Sequence, residues 1–389
     1  MPEPGQNTLS VDVAIIGSGI TGLSTGWHLQ NAGIQKIVTI SDESVLPQSS
    51  LSPGIVWGGQ RDNYTRVSHA HGDGFAQKLW QMGHNARDRL VDFVRARGLR
   101  WQPLRRLRLA AGPEEKVEME KAVGQLAAAG FTAGFLGPAE QAALCPADAG
   151  ITAIQDEGET AGLVDPAAIL AALEPAPQRR VRDSVLTLET GSQGVRLELA
   201  SGRRVQAELV VLATHTRTGR FLPALEEVFV PVADQWLEAS VDPPPGKGGG
   251  LVFSVRHGYE WGALAPDGHL LLGGGRFMRP FAGIGFDQPG DLLKKEIDDY
   301  LYRRIAEVFG WQITHPPARR QAGLVSIPCD ELPVVGPMFG EDRILLAAGY
   351  LGSGLSMGFM AGACLAELIR TGTCADLPDG LHPARLRSL

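Results

Sequence analysis

Gly17, Gly19 and Gly22 have the spacing that holds a dinucleotide pyrophosphate. The apolar run Val11-Asp-Val-Ala-Ile-Ile precedes them and the helical pattern Leu23 to Ala32 follows. The chemistry follows from the residue type. Gly17 permits a tight turn, Gly19 has no Cβ to keep a phosphate off the backbone, and Gly22 lets helix and strand pack closely. Ser18, Ile20 and Thr21 lie among them at the helix N-terminus, where free N–H groups and a partial positive charge favour an anion. The strand, turn and helix occur in the order that separates such a site from an ordinary Gly-rich turn. About 20 residues beyond the last motif glycine, where a ribose-binding carboxylate belongs, stand Ser41, Asp42 and Glu43. Asp42 is the expected ribose ligand; the alternative is a strand-end turn with two solvated acids. A second glycine turn, Gly349, Gly352 and Gly354 with Ser353 and Leu355, follows the apolar run Arg343 to Ala348.

These turns need a sizeable scaffold. At about 150 residues per domain, a chain of 389 residues suggests two or three domains. Hydrophobic residues make up 44% and charged residues 20%, enough for a real core. The net charge is −7, which argues against a nucleic-acid partner, and the basic run Arg100 to Arg108 reads as a solvated face. Cys145, Cys329, Cys364 and Cys374 have neither Cys-x-x-Cys nor metal-site spacing, so they read as reduced, mostly buried thiols with no metal. The first residues lack the basic and apolar regions of a signal peptide. Glycines break the hydrophobic stretch Leu345 to Ile369, so no membrane span is expected and the expected location is cytoplasmic.

Strand, turn, helix and strand occupy Val11 to Ile40, and Ser41 to Gly59 reads as a loop. Helical periodicity covers Asp73 to Arg97, Lys116 to Ala129, Asp291 to Phe309 and Phe359 to Arg370. Asp165 as cap and Pro166 at the first position open a helix to Leu173. Ser184–Glu189, Val195–Leu199 and Arg204–Leu212 form a β-meander whose continuously apolar end, Leu209 to Thr214, reads as buried on both faces. Pro243 to Gly250 is a loop, and Leu270 to Arg276 a strand entering a glycine turn. The nucleotide domain is therefore expected to be assembled from 1–80, 150–220 and 320–389, and a second domain from 81–149 and 221–319.

Four blocks resemble the flavin oxidoreductases related to D-amino acid oxidase, glycine oxidase and sarcosine oxidase. They are Gly17–Gly22, Glu159-Thr-Ala-Gly-Leu-Val-Asp-Pro166, the meander ending in Val210–Thr214, and Asp330–Gly336 followed by Ala348–Leu355. Their order and spacing match over nearly the whole chain. The resemblance implies an α/β fold: a Rossmann-like FAD-binding domain plus an α+β substrate domain with a mixed, largely antiparallel sheet. It implies FAD, with Ser49, Ser50, Gly54, Val185 and Thr214 joining the residues above at the cofactor. Backbone N–H groups at Gly349 to Leu355 suit the negative charge that grows at the N1–C2=O edge of a reduced flavin. Relatives with covalent flavin attach it through a His in the loop matching Ser49–Gly54, which has none, or through a Cys placed near Gly323. Non-covalent FAD is expected.

The resemblance also implies oxidation of a C–N bond in a small amine, N-methyl amine or amino acid by hydride transfer to flavin N5. The protein then has to orient the C–H bond and hold a carboxylate if there is one. Arg276 is the candidate carboxylate ligand. Tyr259 and Trp261, with Trp236, could wall an apolar or cationic pocket. Gly262 stands near the place where amino-acid-binding relatives carry Arg, and no Lys occupies the strand Leu270–Leu272 where fast oxidases carry one. The electron acceptor, O2 or another, stays open, as does the oligomeric state. Arg61, His69 and His71 follow the flavin-side loop. A base such as His257 or His69 would suit 2-hydroxy acid oxidation instead. Further alternatives are a flavin-binding subunit without its own substrate site and an NAD-linked dehydrogenase.

Overall fold

The computed structural model describes residues 8–146, 149–176, 179–241, 249–279, 281, 283–285, 294–311, 313 and 319–388. The chain divides into two compact units: Met1–Ser52 with Asp165–Pro231 and Val325–Leu389, and Pro53–Val164 with Val232–Leu324.

The first unit is built on an eight-stranded sheet. Its main path runs Val334–Met338, Glu341–Ala348, Arg204–Leu212, Thr8–Ile16, Ile37–Ser41 and Arg180–Arg182. Neighbours from Glu341–Ala348 onward are parallel. Val185–Gly191 and Gly194–Leu199 complete the meander on the long strand Arg204–Leu212. Val210, Val211 and Leu212 are fully buried at the centre, as the unbroken apolar run requires. Ile16 lies opposite both Leu212 and Ile40, and Leu212 opposite Leu346. Four parallel strands therefore end level, and the segments after Ile16, Ser41, Leu212 and Ala348 leave the sheet at one edge. The helix Ile20–Asn31 packs against the late helix Gly354–Thr371. Asp165 caps Pro166–Leu173, its Oδ1 accepting from Ala167 N at 2.9 Å and Ala168 N at 3.2 Å.

The second unit carries most of a ten-stranded, largely antiparallel sheet. Side chains alternate across it. Leu237, Phe253, Leu264, Leu270 and Leu272 face the helix Lys295–Phe309 on one side. Trp236, Val252, Ala263 and Leu271, with Trp57 and Trp261 packed against them, form the other.

Several expectations change. Segments 53–80 and 150–164 belong to the second unit, because Ile55–Trp57 pairs with Ala161–Val164, which pairs in turn with Trp101–Ala110. Segments 221–231 and 320–324 change units as well. Ser41–Gly59 is thus not all loop. Tyr64–His71 is an additional helix, with His69 and His71 exposed on it. The helix expected from Asp291 begins, within the described residues, at Lys295, and most of the loop 243–250 lies outside them. The basic run is not a solvated face: Arg106 and Arg108 are each only 4% exposed. No helix among the described residues is long and apolar enough to cross a membrane.

Candidate cofactor and substrate sites

The first glycine turn is fixed by backbone geometry. Gly17 has φ +112°, and a Cβ there would land 2.3 Å from Ala213 O. Gly17 N donates to Ile40 O at 2.9 Å, and Ala213 N to Ile16 O at 2.9 Å. A Cβ on Gly22 would lie 2.0 Å from Gly17 O. Gly19 is the extended cap residue of the first helix, which has no side-chain cap. One orphan donor there, Ile20 N, gives its hydrogen to Ser49 Oγ at 3.0 Å. The Ser50 hydroxyl instead turns back to Pro47 O at 2.7 Å, so it is spent within its own turn.

The second glycine turn reaches the same place. Gly349 and Gly352 have φ +82° and +94°, and the helix opens at Gly354 after Ser353, again without a side-chain cap. Leu355 is buried. The two helices touch through small residues. A Cβ on Gly358 would meet Ile20 Cγ2 at 2.7 Å, and one on Gly362 would meet Ser24 Cβ at 2.6 Å. Ser24 Oγ donates to Phe359 O at 2.7 Å. Thr21 Oγ1 and Tyr350 OH share a buried hydrogen bond of 2.9 Å across 329 residues. Two uncapped helix N-termini thus lie beside one sheet edge, an arrangement suited to a long polyanionic ligand. Tyr350→Phe removes the bond joining the turns; it is expected to cost about 1 kcal/mol in urea unfolding and to weaken cofactor retention several-fold.

Polar groups at that edge lack partners. Ser41 is buried with no partner for its Oγ, and His215, at φ 57°, has a buried unpartnered Nδ1. Burial pushes the His215 imidazole down to about 4, so it is neutral near pH 7. Asp42 Oδ1 accepts from Ser44 N and Ser44 Oγ, and Oδ2 accepts from Ser184 Oγ at 2.7 Å. The Ser44 and Ser184 hydroxyls hold its carboxyl below the usual range. Asp42 therefore ties its own turn to Ser184, while Ser41 Oγ is an unmet polar atom. Val185 is buried beside this strand end, and Thr214 Oγ1 pairs with Thr218 Oγ1 at 3.1 Å. The edge fits a dinucleotide: it has unsatisfied buried polar atoms, two helix starts whose cap residues make no side-chain bond, and glycines where a side chain would clash.

The second unit gathers a different set. Trp261 Nε1 donates to Asp234 Oδ2 at 3.3 Å, and Arg61 and Arg276 both act on that carboxylate through space. Arg276 lies 5.8 Å over the Tyr259 ring. Arg61 Nη2 donates to Gly258 O at 3.2 Å. Gly54 also belongs to this unit, its carbonyl accepting from Val164 N at 2.9 Å. His257 does not join the Asp234 set: its N donates to Glu115 Oε1 at 2.7 Å, and its Nδ1 faces Glu115 and Glu118.

A buried cluster holds Arg61. Arg108 Nε donates to Glu157 Oε1 at 2.6 Å, and Arg106 Nη1 lies 3.3 Å from Glu157 Oε2. The other guanidinium donors go to loop carbonyls: Arg106 to Gly58 O and Gln60 O, Arg108 to Gln60 O and Arg61 O. Burial would raise the Glu157 carboxyl, but Arg106 and Arg108 outweigh it and hold it below the ordinary value of 4.5. Asp234 and Glu157 escape the sequence reading because their partners lie far along the chain. The signal for Asp234 was an acid placed between the apolar residues Val232 and Trp236 on one face of a strand.

The family described as DAO, FAD dependent oxidoreductase, matches residues 12–368. No curated protein matches the chain in sequence. Glycine oxidase from Geobacillus kaustophilus superposes with a TM-score of 0.76 at 18% identity, over 97% of this chain and 99% of that one. L-proline dehydrogenase from P. horikoshii gives 0.73 at 15%, over 97% and 98%. L-amino acid deaminase from Proteus vulgaris gives 0.72 at 15%, over 100% and 99%.

Proposed function

The chain belongs to the DAO family of FAD dependent oxidoreductases, and on that premise we propose that it oxidises the C–N bond of a small amine, N-methyl amine or amino acid. When bound, FAD supplies the hydride acceptor. Gly17, Ser18, Gly19, Ile20, Thr21 and Gly22 would cradle its pyrophosphate, with Ser49 and Ser50 alongside. Ser41, Asp42, Val185 and Thr214 would hold the adenosine end, and Gly349, Gly352, Ser353, Gly354 and Leu355 the isoalloxazine. The flavin would be held without a covalent bond, since Ser49–Gly54 contains no His and the place of the attaching Cys falls near Gly323.

The observation that supports the cofactor part of this reading is the joining of the two glycine turns through Thr21 and Tyr350. It sets two helix N-termini side by side, one for phosphates and one for a reduced flavin's charge. The similar structures include a glycine oxidase, an L-proline dehydrogenase and an L-amino acid deaminase, each acting on an amino acid. The His257 imidazole faces Glu115 and Glu118 rather than the Asp234 set, so that set gains no base for 2-hydroxy acid oxidation from it. The protein's own part in the reaction is orientation: Trp261 and Tyr259 supply aromatic walls, and Arg276 a planar cation for a carboxylate. Anaerobic mixing of the FAD-loaded protein with amines, amino acids and 2-hydroxy acids tests the proposal. Bleaching by a nitrogen compound supports it; bleaching by hydroxy acids alone, or by nothing, overturns it.

A further inference from the structure

Resting on the C–N oxidation reading, we infer that Asp234 is the group that recognises the substrate nitrogen, while Arg61 and Arg276 take a carboxylate on the same molecule. The substrates are then α-amino or N-alkyl amino acids rather than simple amines.

The placement follows from the strand. Asp234 lies two residues before Trp236, so it shares the face that carries Trp236 and not the helix-covered face of Leu237. Gly273 sits opposite both Trp236 and Trp261 in the neighbouring strands. With no side chain at Gly273, the Trp261 indole lies across it; a Cβ there would fall 2.0 Å from Trp261 Cζ2. The indole thereby reaches Asp234 Oδ2, while Asp234 Oδ1 accepts from Gln235 N at 3.1 Å. One edge of the carboxylate is pinned by neutral donors only.

Two cations stand near without closing on it. Among the described residues no ion pair or hydrogen bond joins Asp234 to Arg61 or Arg276. Arg276 is parked over Tyr259, and Arg61 is tied to Gly258 O. The three groups carry one formal negative and two formal positive charges. That set complements a ligand offering N–H donors at one end and a carboxylate at the other. Burial raises the Asp234 carboxyl more than the arginines lower it, so its charge is incompletely met by the protein. A substrate N–H group supplies what is missing, and a planar guanidinium suits the carboxylate. This substitutes for the arginine that the resemblance places near Gly262.

Asp234→Asn keeps an acceptor for Trp261 and removes the charge. Binding to the FAD-loaded protein is measured by calorimetry with an amino acid that bleaches the flavin, its analogue lacking the amino group, and its decarboxylated amine. Flavin content and melting temperature report folding. Asp234→Asn is expected to weaken the amino acid about 30-fold and leave the deamino carboxylate within about 2-fold. Arg276→Gln, the second variant, weakens both carboxylates and spares the amine. Equal loss of both carboxylates in Asp234→Asn, or loss of neither, overturns the assignment. If the wild-type flavin is still bleached by amino acids in that case, the C–N reading stands. Bleaching by no nitrogen compound overturns both.

Discussion

Gly22→Ala is expected to empty the protein of flavin and to lower its stability by about 2–4 kcal/mol. The added methyl would sit 2.0 Å from Gly17 O and 3.2 Å from Ile15 Cγ2. The nearer atom belongs to the backbone, so no rotamer change relieves the clash. Gly17 cannot move aside either. It holds φ +112° and donates to Ile40 O, and its own Cβ direction is blocked by Ala213 O. Strand and helix must separate, and the N–H groups of Ile20, Thr21 and Gly22 separate with them. Gly124→Ala is the control. That glycine lies inside the helix Pro113–Ala128 with nothing within 4 Å of a Cβ. There alanine stabilises by about 0.5–1 kcal/mol. Urea unfolding together with flavin content separates the two outcomes. Retention of FAD by Gly22→Ala at wild-type stability would show that close packing at this turn is dispensable.

Glu157→Gln is expected to cost about 3–5 kcal/mol. The side chain lies between two guanidiniums that are each 5% exposed, and it is the carboxylate paired with both. Removing its charge leaves two buried cations with loop carbonyls and the Trp57 and Trp80 rings beside them but, among the described residues, no paired carboxylate. The effect does not stop at stability. The same guanidiniums bind Gly58 O, Gln60 O and Arg61 O, so the loop that presents Arg61 loosens. The half-saturation for a carboxylate-bearing substrate should rise more than the rate of flavin reduction falls. The pH dependence has a definite sign. The folded carboxyl titrates below 4.5, so its stabilisation is full above that value and is lost as pH falls through the depressed one. Wild type and variant should differ by a constant amount near neutrality and converge only in acid. A variant as stable as wild type at pH 7 would contradict this role.

The parts of the fold that could be read from sequence are those set by local rules. An apolar strand, three glycines and a helix make a turn that needs no distant partner, and Asp165-Pro166 starts a helix by its own chemistry. The second glycine turn was legible for the same reason. Its contact with the first was not, since Thr21 and Tyr350 meet only once the parallel strands are in register. Ile55–Trp57 was missed because three residues carry too little pattern, and its partner Ala161–Val164 lies about a hundred positions on. Arg106 and Arg108 were misread because charge usually means solvent. Their alternation with Leu107 and Leu109 placed them on one face, and only Glu157, on another segment, made burying that face tolerable. The hydrogen-bond partners that Asp42 finds, and Ser41 Oγ does not, are also beyond what sequence carries. The ring of Ser44 and Ser184 hydroxyls occupies the aspartate and leaves the serine free.

The central claim is that a nitrogen-bearing carbon is oxidised at the expense of this flavin. A single anaerobic turnover tests it most directly: FAD-loaded protein is mixed with an amino acid that bleaches it, and the products are then quantified. The account predicts the imine, or the carbonyl compound and the ammonia or amine that water makes of it, in amounts equal to the flavin reduced. Reduced flavin with no imine, carbonyl compound or released amine formed from the substrate would contradict it.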